Sequence, residues 1–170
     1  MLTTNRRLPN ALGLLICLGL LAYAYYAQAQ LHLEPCPLCI FQRVGVAAIG
    51  AVFLLATLHN PKGWGGRVYG VLIVFAAAAT LVVAARHVWI QHLPADQVPT
   101  CGASLNYLLE IFPLTEVVRT VLTGSGECAK ITWTFLGLSM PTWVGLAALG
   151  LGLYGAYINF RMTHRPRVRF

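Results

Sequence analysis

The stretch Cys36–Leu58 reads CPLCIFQRVGVAAIGAVFLLATL. From Ile40 onward its only charged residue is Arg43. A run of roughly 20 mostly apolar residues matches the thickness of a bilayer core when wound as a helix. The stretch is therefore read as a transmembrane helix over about Ile40 to Leu58, entered through a C-x-x-C. Three further runs have the same character, over about Leu12 to Ala29, Val68 to Ala85 and Trp143 to Phe160. The composition agrees: 58% of the 170 residues are hydrophobic and 10% charged, against about a quarter charged in soluble domains. The expected fold is an all-α membrane protein, one domain over residues 1–170, built as a bundle of four transmembrane helices.

The charges set the orientation. Arg6 and Arg7 precede the first run, Lys62 and Arg67 lie between the second and third, and Arg161, Arg165, Arg167 and Arg169 follow the fourth. All five acids, Glu34, Asp96, Glu110, Glu116 and Glu127, fall in the other two connections. Basic loops stay on the cytoplasmic side. Segments 1–11, 59–67 and 161–170 are thus expected in the cytoplasm, and loops 30–39 and 86–142 in the periplasm. The net charge of +7 is explained by topology and lipid contact, not by nucleic acid. Arg6-Arg7 followed by an apolar run ending Ala27-Gln28-Ala29 resembles a cleaved signal, but the run is long for one, and a retained helix is expected. Within the long loop, Leu105–Leu122 is a mixed apolar run divided by Pro113, read as a short helix lying in the membrane interface; the alternative is a small helix packed on the loop's own residues. Trp64, Trp89, Trp133 and Trp143 stand near the expected membrane edges, as an aromatic belt would.

Four of the five cysteines, Cys36, Cys39, Cys101 and Cys128, lie in the two acid-bearing loops. Cys17 lies in mid-run and reads as packing. A C-x-x-C at a helix start has its thiolate favoured by unpaired amides and the helix dipole. Without a histidine after Cys39 it is not a haem attachment site. A four-thiolate zinc site is the structural alternative. However, Cys101 and Cys128 stand 27 positions apart, which is no knuckle spacing, and an oxidising compartment favours disulfides. Redox chemistry without a metal is expected.

Arg43 follows Cys39 by one helical turn, on the same face. Intramembrane arginines are costly and tend to be functional. This one can favour the Cys39 thiolate and donate hydrogen bonds to a quinone carbonyl; the plainer alternative is an arginine reaching to lipid phosphate. His87 and His92 close the third run on the cysteine side, and either can carry a proton; a solvated interfacial histidine is the plainer alternative. Gly102 and Gly126 beside the loop cysteines imply mobile or tight backbone.

The stretches Glu34-Pro-Cys-Pro-Leu-Cys-Ile-Phe-Gln-Arg43, Gly124-x-Gly-x-Cys128 and Trp133-Thr-Phe-Leu-Gly-Leu-Ser-Met-Pro-Thr-Trp143, with the four-run hydropathy, resemble the DsbB family over nearly the whole chain. The resemblance implies a protein-disulfide:quinone oxidoreductase of the bacterial inner membrane, whose partner is the periplasmic thioredoxin-fold oxidase DsbA and whose cofactor is ubiquinone or menaquinone. Nothing in the sequence demands more than a monomer. The resemblance also implies that Cys36 and Cys39 form the membrane-proximal pair, with Cys39 engaging the quinone. Cys101 and Cys128 form the pair presented to DsbA. Attack on Cys101 then frees Cys128 to pair with Cys36. Arg43 and, less closely, His87 match the family's quinone-site residues. Two other readings stand beside it. A thiol carrier delivering reducing power outward would need redox cysteines reachable from the cytoplasm. A non-enzymatic subunit with structural disulfides would leave Arg43 and the interfacial C-x-x-C unexplained.

Overall fold

The computed structural model describes residues 6–32, 35–61, 63–94, 97, 113, 115–117, 121, 124 and 126–161. Among them, four helices are long and apolar enough to cross a membrane. They are α1 (Arg7–Gln30), α2 (Pro37–His59), α3 (Trp64–Gln91) and α5 (Met140–Arg161). Between α3 and α5 lie a single-turn helix α4 (Gly126–Ala129) and a hairpin of β1 (Thr134–Phe135) and β2 (Leu138–Ser139). The protein is a multi-pass helical membrane bundle. Its helices start earlier and end later than the hydropathy runs, most of all α3, which continues to Gln91. Hydropathy registers the lipid-embedded part alone, whereas backbone hydrogen bonding carries a helix on past the hydrocarbon.

Successive helices pack on one another, and α3 with α5 forms the most extensive contact, while α1 and α5 touch little. Lipid supplies no hydrophobic drive between helices, so close packing by small residues does this work. The central core gathers Cys17, Ile49, Phe53, Ile73, Ala77 and Leu151. Gly13 lies under the Phe53 ring, where a Cβ would come within 2.7 Å of it. Gly155 lies against Ile73, where a Cβ would meet Cγ2 at 2.5 Å. Large apolar side chains such as Phe75 (74% exposed) and Leu153 (65%) face outward, which is unfavourable in water and natural in lipid.

At the end of the bundle away from Cys36, a buried polar network joins what packing leaves apart. Asn159 Nδ2 of α5 donates to Asn10 Oδ1 of α1 at 3.1 Å, and Asn10 Nδ2 donates to the Arg6 carbonyl at 2.9 Å. Tyr154 OH donates to the Pro9 carbonyl at 2.9 Å. Asn60 terminates α2 in the left-handed region at φ 44°, a conformation asparagine tolerates, and its Oδ1 accepts from the Arg6 amide at 3.2 Å. None of these asparagines stands out in the sequence patterns.

The hairpin pairs Thr134 with Ser139 and Phe135 with Leu138. Its two turn residues, Leu136 and Gly137, both have positive φ, as a two-residue turn of the primed type requires. Phe135 stacks on Trp133 and packs against Trp143, while Trp133 meets Tyr23 of α1 edge-on. The tryptophans expected at the membrane edge thus also clamp this hairpin between α1 and α5. Most of the Leu105–Leu122 segment lies outside the described residues. Residues 115–117 are helical, and Val117 and Val121 are buried against Cys36, Leu38, Ile90 and Cys128.

Replacing Gly155 by Val should lower stability by about 1–3 kcal/mol, the usual cost of overpacking. Gly150→Ala should have little effect, because nothing lies within 4 Å of the added methyl. Thermal unfolding of the two variants in detergent micelles checks both.

Candidate functional site

The site forms where the start of α2 meets the end of α3. Cys36 is the N-cap of α2 and Pro37 occupies its first turn, where a missing N–H costs nothing. The Cys36 sulfur accepts from the Cys39 amide at 3.4 Å, the role usually held by a serine or aspartate oxygen. A partial positive charge at the helix start therefore faces the Cys36 sulfur. One turn on, Cys39 Sγ lies 3.1 Å from Cys36 Sγ. Cys36 is 9% exposed and Cys128 1%, whereas Cys39 is half-buried.

His87 reaches this point from α3, fully inside the helix rather than at its frayed end, and is 3% exposed. Its Nε2 lies 3.8 Å from Cys36 Sγ. Its Nδ1 lies 3.1 Å from Nε2 of Gln42, itself buried on α2. With the amide nitrogen donating to Nδ1, the ring proton sits on Nε2 and points to the sulfur. Cys128 arrives on α4. Its sulfur, that of Cys36 and a ring nitrogen of His87 all lie within 4.8 Å of one another. The approach of this loop depends on Gly124: φ is +88°, and a Cβ there would lie 2.3 Å from Ile90 Cδ1. Gly124, four residues before Cys128, thus serves a tight approach of backbone to helix.

Arg43 extends towards α1. Its Nη1 donates to Gln28 Oε1 at 2.6 Å and its Nη2 to the Ala24 carbonyl at 3.1 Å. Its guanidinium also lies 5.2 Å from the centre of the Tyr25 ring. Arg43, Cys36, Cys39, Gln42 and His87 line one cavity of about 780 Å³, walled on its apolar side by residues such as Leu20, Val46 and Val144. The structure thus brings together Cys36, Cys39, Cys128, Arg43 and His87. His92 stands apart, exposed, with Nδ1 2.8 Å from the Val88 carbonyl. Cys101 and Glu34 lie outside the described residues. Gln42 carries no motif of its own; its signal in the sequence is a second polar residue beside Arg43 in an otherwise apolar helix.

Residues 6–158 match the family described as disulfide bond formation protein DsbB. The chain belongs to the DsbB family. Among curated relatives, it is 51% identical over 153 residues to "Disulfide bond formation protein B" of Marinobacter nauticus, covering 90% of each chain. It is 53% identical over 161 residues to the protein of that name from Xanthomonas campestris pv. campestris, covering 94% of this chain and 92% of the relative. The match in Nitrosococcus oceani is 54% identical over 142 residues, 84% of each.

In the fully reduced protein, maleimide should modify Cys39 before Cys36, Cys128 and Cys17, following exposure. Residue-resolved mass spectrometry of a quenched time course tests the order, and modification of Cys36 or Cys128 ahead of Cys39 would contradict the geometry.

Proposed function

We propose that this protein re-oxidises a periplasmic DsbA-like thiol oxidase and passes the electrons to a membrane quinone. The observation that carries this reading is the C-x-x-C opening onto a large, mostly apolar cavity in a membrane bundle, with Arg43 in its wall. A quinone needs apolar walls for its ring and tail and a few polar groups at its carbonyls, and this cavity offers both. Arg43, Cys39 and His87 would hold it. When bound, a quinone supplies the sink for two electrons and two protons.

The remaining chemistry belongs to the chain. Thiol–disulfide exchange is attack by a thiolate on one sulfur with departure of the other. The partner's thiolate attacks Cys101 and releases Cys128 as a thiolate. Cys128 lies beside Cys36, attacks it and releases Cys39 towards the cavity. The positive charge of Arg43, one turn below, favours that released thiolate. The Cys36 sulfur faces the N-terminus of α2 and the His87 ring, so His87 holds a proton where a thiolate leaves or returns. The partner's second thiolate then attacks the mixed disulfide and releases Cys101, so that two partner thiols lose two electrons and two protons and gain one S–S bond, while the chain gains the electrons as two thiols. Because DsbA is a strong oxidant at about −120 mV, its re-oxidation needs a sink beyond an ordinary dithiol, which explains why the catalyst sits in the membrane. With this electron path, loops 30–39 and 86–142 face the periplasm of a bacterial inner membrane and both termini the cytoplasm, as the basic segments favour.

Quinone-reduction kinetics with reduced DsbA as donor test the reading. Wild type turns over, and Cys39→Ser lowers the rate at least a thousandfold. Failure of the wild type with both ubiquinone and menaquinone would overturn it. Arg43→Met should raise the KM for quinone about tenfold or more, consistent with loss of a charge-assisted hydrogen bond of about 1.5–3 kcal/mol, and leave the KM for DsbA unchanged.

A further inference from the structure

We propose that the reduced protein is also a zinc-binding protein, with Cys36, Cys128 and His87 as the ligands. This goes beyond the electron path proposed above and does not depend on it.

The three ligand atoms lie within 4.8 Å of one another, and all three residues are buried. Tetrahedral zinc at its usual bond lengths, about 2.3 Å to sulfur and 2.0–2.1 Å to nitrogen, sets ligand atoms about 3.5–3.8 Å apart. Cys36 Sγ and His87 Nε2 already stand at 3.8 Å. Closing the rest asks only for a small inward shift of Cys128 on its single-turn helix. Two thiolates and one imidazole are a soft, borderline donor set that selects zinc over calcium or magnesium. Their combined charge of −2 balances the ion, so that binding one Zn²⁺ to two thiols releases two protons.

A second observation points the same way. Metal-bound histidines have their far nitrogen fixed by a hydrogen bond, which orients the ring and sets the tautomer. Gln42 occupies that position, 3.1 Å from Nδ1. Turned over, its carboxamide presents Oε1 to an Nδ1–H and leaves the Nε2 lone pair facing the sulfurs. A carboxamide can make this turn without moving its neighbours, and the two orientations are nearly isosteric. Entry is open as well, since Cys36 and His87 border the large cavity. Cys39 falls outside the group, although its sulfur lies close to that of Cys36. The site is therefore not the metal-binding dithiol that a C-x-x-C alone suggests; it reaches across three elements. It exists only when both sulfurs are reduced, because a disulfide removes the thiolates. Zinc so held ties up Cys36 and Cys128 and stops exchange between them.

The test uses the full-length protein in detergent micelles, reduced with a phosphine and titrated with Zn²⁺ against a chromophoric chelator. Cd²⁺ serves as a second probe through its thiolate charge-transfer absorbance. The expected result is one Zn²⁺ per chain in the reduced protein and none in the oxidised one. His87→Ala and the gentler His87→Gln should each weaken binding at least tenfold, Gln42→Leu about 10–100-fold, and Cys128→Ser should remove it. Cys39→Ser and Cys17→Ala should bind as wild type does. Equal binding by oxidised and reduced protein overturns the proposal. So does loss in Cys39→Ser with retention in Cys128→Ser, which would assign the metal to the C-x-x-C, or unchanged affinity in both His87 variants. Far-ultraviolet dichroism of each variant separates lost ligands from lost fold.

Discussion

A thiol pair has to be held at the boundary between lipid and water without leaving any backbone group unsatisfied, and the start of α2 solves that problem. In hydrocarbon, every N–H and C=O needs an internal partner. A helix can meet this demand throughout its length except over its first and last turns. Cys36 stands at that exception, and its sulfur accepts from the Cys39 amide. The same contact that completes the helix aims the helix dipole at the Cys36 sulfur. Everything else in the site is arranged about it: Cys39 one turn on, His87 from the side, Cys128 from above, Arg43 beneath.

The bundle is joined in a way that leaves room for this. α1 and α5 make little side-to-side contact, yet the Asn10–Asn159 and Tyr154–Pro9 hydrogen bonds hold them together at the end remote from the cysteines. Towards the cysteines they separate around a cavity lined from both, and the hairpin with its stacked aromatics closes over the top. Interhelical hydrogen bonds in membranes are worth only about 0.6 kcal/mol on average. Their value here is positional: they fix one end of a seam so that the other can remain open without the helices parting.

How much of this was legible in the sequence follows from the range of each interaction. The four spans were readable because lipid imposes length and hydropathy on contiguous residues. The C-x-x-C and Arg43 were readable because their relation is local, set by helix spacing. The contact of Gln42 with His87 spans 45 positions and depends on how α2 and α3 rotate against each other, which hydropathy does not encode. The extent of α3 beyond the third apolar run is likewise invisible to hydropathy. His87 and His92 follow the apolar run and read as its end, whereas α3 continues to Gln91 and folds His87 into the protein. The hairpin was invisible because its turn is Leu136-Gly137, without the asparagine or aspartate that marks such turns. Gly124 was visible as part of a motif, but its purpose, the close approach to Ile90, appears only in three dimensions.

The arrangement carries an inherent conflict. Exchange between Cys36 and Cys128 requires two sulfurs close together, deprotonated at the right moment, shielded from bulk water and attended by a group that can give or take a proton. Zinc sites are built from the same requirements, with the lone pairs turned on a cation instead of on each other. What separates the two outcomes is oxidation state. While one disulfide occupies the cluster, at most one thiolate is available and a divalent ion gains little. Once both pairs are reduced, two thiolates face an imidazole already braced by Gln42. On the proposed electron path, rapid removal of electrons would protect the site from metal as well as sustain turnover, and the large cavity beside Cys39 is the feature on which that protection would rest.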